Sequence, residues 1–136
     1  MKPPVVADLI WTGDLRFGGT SGNIGITLDG DSAAGPSPVQ ALAFALASCM
    51  AADVVHILTK GHHPLRGLHA HIVGERAQQD PHRLLKVDLH FDIDGAVPAA
   101  AADRAIALSR EKYCSVAHSL NPDIELRVTC DVRTGD

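Results

Sequence analysis

Residues 41–58, ALAFALASCMAADVVHIL, form an almost unbroken apolar run. Any fold for this chain must first find cover for it. Ser37-Pro38 reads as the N-cap and first residue of a helix that includes the run, and Lys60-Gly61 as its end, with glycine at the position beyond the C-cap. A helix apolar on nearly every side is one buried on nearly every side. A chain of 136 residues has limited material for that, so a second subunit is expected to cover part of it. A bilayer is the other cover such a length could find. Asp53 and His56 inside the run, the lack of flanking positive clusters and the lack of a second span argue against it. A mid-span Asp costs roughly 2.5–3.5 kcal/mol on insertion scales. At about 100° per residue Cys49, Asp53 and His56 share one helical face. That face is either a buried polar seam or part of a site.

The length predicts a single domain, residues 1–136, large enough to bury a core. Apolar residues make up 46% and charged residues 21%, which is ordinary globular composition. Net charge is −4 with no basic run, arguing against nucleic-acid or acidic-membrane partners. The start, MKPPVVADLIW, has no long apolar segment of the signal-peptide kind. Three cysteines do not make a secreted disulfide framework, and a cytoplasmic setting is expected.

Residues 4–11, LRF and IGITLDG read as strands separated by turns at Thr12-Gly13-Asp14 and in GGTSGN. After the long helix, residues 67–79 and 83–93 alternate apolar and polar side chains around Asp80-Pro81-His82, predicting a long hairpin. VPAAAADRAIALSREKY is an amphipathic helix. Cys114 falls at its break or at the head of a short following helix, and DIELRVTCDV is a last strand. The order β-β-β-α-β-β-α-α-β predicts an α+β fold.

Three chemistries are open to these residues. Cys49 and Cys114 could form a redox pair, although 65 positions in sequence separate them and a buried cysteine is usually a small hydrophobe. Cys130 alternates with core residues and reads as structural. Eight histidines are many, but no zinc-type spacing appears. They read as surface residues, and no metal or other cofactor is assigned. A Cys49-His56 nucleophile pair is two turns apart, too far for direct hydrogen bonding.

Taken together, GPSPVQALAFALASCMAADVVHIL, GERA followed by LHF, and ALSREKYCSVAHSL resemble the OsmC/Ohr family over nearly the whole chain. The resemblance implies an α+β fold forming an intertwined homodimer, with sheets wrapping central helices. It also implies thiol peroxidation, an antioxidant activity of the oxidative-stress response. In that chemistry Cys49 is the peroxidatic residue and Cys114 the resolving one. Organic hydroperoxides are the substrate and a lipoyl-type dithiol is the reductant. By neighbourhood, in GDLRFGG, Arg16 takes the part of the arginine that stabilises the thiolate. Val39 and Gln40 stand where the family carries a glutamate that holds this arginine. Gln40 and Phe44 are assigned to an apolar substrate pocket. The alternative is a non-catalytic protein that binds a small apolar ligand on the same fold.

Overall fold

The computed structural model describes residues 2–134, which divide into two compact units. The first ends at Phe44 and the second begins at Ala45. In the first unit, β1 (Asp8–Gly13), β2 (Arg16–Ser21) and β3 (Ile24–Asp29) form an antiparallel meander. The expected strand 4–11 starts later, at Asp8, since Pro3 and Pro4 have no N–H to give a ladder. Register sets Leu9 opposite Gly19, Trp11 opposite Phe17, and those two β2 residues opposite Ile26 and Leu28. These side chains therefore share one face of the sheet. Among the described residues of this unit no large apolar side chain is buried.

Beyond β3 the chain turns around Asp29, which is buried. Its carboxylate accepts backbone N–H bonds from Asp31 (2.9 Å), Ala33 (3.3 Å) and Ala34 (2.9 Å). The bonds from Ala34 and Asp31, with a smaller attraction from Arg16, hold this carboxyl below its ordinary range against the opposing effect of burial. Gly35 closes the turn where a Cβ would stand 2.3 Å from the Thr27 carbonyl oxygen, so no side chain fits there. A carboxyl lowered on folding stabilises the native state above its unfolded value, about 3.9, and loses that contribution as pH falls through its folded value. Asp29→Asn keeps one acceptor oxygen and loses the charge. Urea unfolding is expected to show wild type ahead at neutral pH, the gap shrinking below about pH 4. A gap independent of pH would contradict this role for the charge.

Helix α1 (Pro38–Lys60) begins with a reciprocal cap. The Gln40 N–H donates to Ser37 Oγ (3.2 Å), and the Ser37 N–H donates to Gln40 Oε1 (2.9 Å). This is the capping-box arrangement, with glutamine at the third helical position. At the other end the left-handed residue is His62 (φ 61°), not Gly61. The His62 N–H reaches the Thr59 carbonyl and the His63 N–H reaches that of Leu58, the paired bonds of a Schellman closure. The reading of Gly61 as the residue beyond the C-cap is thus corrected by one position. Among the described residues α1 is the one helix long and apolar enough to cross a membrane. Its Leu46, Met50, Val54 and Leu58, spaced four apart, are buried in the core of the second unit.

That unit contains β4 (Leu65–Arg76), β5 (Leu84–Gly95) and β6 (Glu125–Arg133) in the order β4-β5-β6. The hairpin β4-β5 is antiparallel and β6 runs parallel to β5. A parallel return needs a crossover, supplied by α2 (Ala99–Leu108), a π-helical turn at Ser109–Tyr113, and α3 (Ser115–Ser119). Alternation on β5 sends Val87, Leu89, Phe91 and Ile93 inward, each 2% exposed or less. They form one cluster with the α1 row and with Ala102, Ala105 and Ile106 of α2. The opposite face carries His69, His71, His90, Asp92, Thr129 and Asp131. The α+β class and the predicted element order hold. Cys114, expected at the helix break or at the head of a short following helix, follows the π-helical turn and heads α3.

Candidate functional site

Cys49 lies on α1 beside the buried row, half-buried against the core. Asp53, one turn on, accepts a hydrogen bond from Ser109 Oγ at 2.8 Å. Ser109 is wholly buried and opens the π-helical turn, whose closing bond runs from the Cys114 N–H to the Ser109 carbonyl at 2.8 Å. Single π turns inside helical segments insert one extra residue and often mark functional positions. Here the turn releases Cys114 into an extended conformation (φ −73°, ψ 102°), where it is the N-cap of α3. Its sulfur accepts the Ala117 N–H at 3.4 Å.

The two thiols meet. Cys114 is wholly buried, and its thiol is pushed up to about 11, by burial first and by its hydrogen bond and charge interaction with Cys49, with the Ala117 N–H opposing. A thiol raised in this way keeps its proton at neutral pH. Both cysteines are free thiols. A half-buried thiol beside a buried one is an arrangement suited to oxidation of the first and capture by the second.

The helical face shared by Cys49, Asp53 and His56 divides. Cys49 faces Cys114, Asp53 faces Ser109, and His56 is exposed. Among the described residues no metal-capable group includes Cys49, Asp53 or His56. Ser109 was not singled out from sequence. Its only signal was a small polar residue on the otherwise apolar side of the helix ending in SREKY.

Arg16, Gln40 and Phe44 belong to the first unit, and Cys49 and Cys114 to the second. Arg16 lies 3.5 Å from Asp14 and also acts on Asp29. The Gln40 Oε1 is engaged by the helix cap and by Ser32 Oγ at 2.6 Å. Phe44 is 68% exposed.

Cys130 on β6 is half-buried, and its S–H donates to Asp103 Oδ1 at 3.4 Å. Burial, then the Asp103 bond and neighbouring carboxylates, push this thiol up to about 11. Since the thiolate is the nucleophile, iodoacetamide should label Cys130 roughly 100-fold more slowly at neutral pH than an unhindered cysteine. Peptide mapping after timed labelling reads this directly. Labelling at the rate of a free thiol would remove the Asp103 bond from the account.

The family described as OsmC-like protein matches residues 29–129 of this chain. The Escherichia coli K12 protein YhfA is 35% identical over 125 residues, covering 90% of this chain and 93% of YhfA. Among solved structures, a hypothetical protein from Aquifex aeolicus VF5 superposes with a TM-score of 0.92 at 24% identity, covering 99% of this chain and 100% of that one. An organic hydroperoxide resistance protein from Elizabethkingia anophelis shares the fold with a TM-score of 0.71 at 17% identity, covering 98% and 99%.

Proposed function

This chain belongs to the OsmC-like protein family, and from that premise we propose that it reduces organic hydroperoxides through Cys49 and Cys114. The observation that carries the proposal is the contact between a half-buried thiol and a wholly buried one whose pKa is raised. The hydroperoxide resistance named for the Elizabethkingia anophelis protein of the same fold supports the choice of substrate.

In the proposed cycle the Cys49 thiolate attacks the outer oxygen of R–O–O–H. The O–O bond breaks, an S–O bond forms, and the leaving alkoxide takes a proton to become ROH. Sulfur is oxidised to sulfenic acid and the peroxide is reduced to alcohol. The Cys114 thiol then condenses with the sulfenic acid, releasing water and forming the Cys49–Cys114 disulfide. A lipoyl-type dithiol returns both cysteines to thiols by exchange and leaves as its own cyclic disulfide. Arg16 is assigned as the cation for the Cys49 thiolate on the resemblance of its strand. Arg16→Ala should then slow iodoacetamide labelling of Cys49 at neutral pH, and an unchanged rate would put the cation elsewhere.

Assembly as a homodimer, in the reducing cytoplasm, is part of the proposal. Leu9, Trp11 and Ile26 are more than half exposed on one face of the first sheet, and each is worth roughly 1.5–3 kcal/mol when covered. A second copy of the chain supplies the cover. One observation favours the non-catalytic alternative: Gln40, where the family glutamate is expected, has its carbonyl oxygen committed to the helix cap. Turnover of cumene hydroperoxide with dihydrolipoamide separates the two readings. Multiple turnovers support the peroxidase, and saturable binding of the apolar compound without loss of peroxide supports the alternative.

A further inference from the structure

From the outward face of the second sheet we infer a divalent transition-metal site, of the zinc class, formed by His90, Asp92 and Asp131. The Nε2 atom of His90 stands 3.3 Å from Asp92 Oδ1 and 3.2 Å from Asp131 Oδ2. The three ligand atoms lie within 4.8 Å of one another. Nitrogen and oxygen ligands held tetrahedrally at zinc bond lengths are about 3.3 Å apart. Both His90–carboxylate edges match that spacing.

Register builds the cluster. His90 and Asp92 are alternate residues on β5, and parallel pairing sets Thr129 beside His90 and Asp131 beside Asp92. All four side chains therefore point to the same face, away from the core. The Nδ1 atom of His90 lies 2.6 Å from Thr129 Oγ1. With the ring N–H given to that hydroxyl, the Nε2 lone pair is aimed between two carboxylate oxygens and is open to a cation; in the other tautomer Nε2–H serves the same carboxylates. Metal-bound histidines characteristically have the second nitrogen tied in this way. The other oxygen of Asp92 lies 3.6 Å from His69 Nδ1 on β4, which orients the carboxylate from the far side. The three proposed ligands are 35%, 52% and 82% exposed, so an ion has open access. One imidazole with two carboxylates suits Zn²⁺ or Co²⁺. It is too few oxygens for Ca²⁺, which takes six to eight. A water completes the tetrahedron.

The experiment uses the untagged full chain. Calorimetric titration with ZnCl₂ is expected to give one ion per chain. Co²⁺ as a second probe should develop visible d–d bands without the near-ultraviolet charge-transfer band of a cobalt–thiolate bond. Loss of the ligand in His90→Ala or Asp92→Asn should weaken binding by roughly 100-fold or more, and loss of the orienting hydroxyl in Thr129→Val by about 10-fold. Cys49→Ser and Cys114→Ser should bind as wild type, which keeps the result independent of the peroxidase reading. Three results would overturn the site: no binding at millimolar Zn²⁺, binding abolished by the cysteine substitutions, or binding indifferent to His90→Ala.

Discussion

Cys114→Ser is expected to perform one reduction and then stop. Peroxide meets the half-buried Cys49 first, because Cys114 has no exposed surface. The sulfenic acid formed on Cys49 in this variant has no thiol beside it. It persists long enough to be trapped by dimedone, and excess peroxide carries it to sulfinic acid. The reciprocal variant behaves differently. Cys49→Ser leaves the peroxide unconsumed and Cys114 reduced, since burial, the largest cause of its raised pKa, persists and keeps that thiol protonated at neutral pH. Peroxide consumption and dimedone labelling, followed together, report both outcomes. Equal loss of the first turnover in the two variants would remove the asymmetry on which the roles rest.

Asp53→Ala is expected to cost roughly 1–3 kcal/mol of stability, because it leaves the buried Ser109 hydroxyl without an acceptor. The larger consequence concerns the thiols. Ser109 is tied to Asp53 through its side chain and to Cys114 through its carbonyl. Asp53 thus holds the start of the π turn whose end delivers Cys114 to Cys49. With that tie cut, disulfide formation after peroxide treatment should slow while the first oxidation of Cys49 does not. Asp53→Asn retains an acceptor oxygen and should restore most of the disulfide rate. Unfolding by urea measures the first effect and stopped-flow thiol loss the second. An unchanged disulfide rate in Asp53→Ala would show that Cys114 is positioned without this bond.

The alternation of 67–79 and 83–93 around a proline turn was enough to locate the hairpin, and the Ser-Pro start was enough to locate α1. These features are local, and local pattern reports them. The family resemblance, carried by the two cysteine motifs, paired Cys49 with Cys114 where spacing alone left the matter open. What stayed hidden depends on long-range register. Asp53 and Ser109 are 56 residues apart, and His90 is 39 from Thr129 and 41 from Asp131. Nothing in HFDI or RVTCDV announces that β6 will run parallel to β5 in the register that sets Asp92 beside Asp131. The histidines accordingly read as scattered surface residues. The role of Gln40 is local by contrast: SPVQ carries the S-x-x-Q pattern of a helix cap.

The central claim is that Cys49 and Cys114 act as one redox unit, and peptide mass spectrometry tests it most directly. Reduced wild-type protein is treated with one equivalent of cumene hydroperoxide, alkylated and digested. The account predicts the loss of two thiols, a single Cys49–Cys114 cross-linked peptide, and Cys130 recovered in alkylated form. Recovery of all three cysteines as alkylated thiols, or a disulfide that includes Cys130 in place of Cys114, would contradict it.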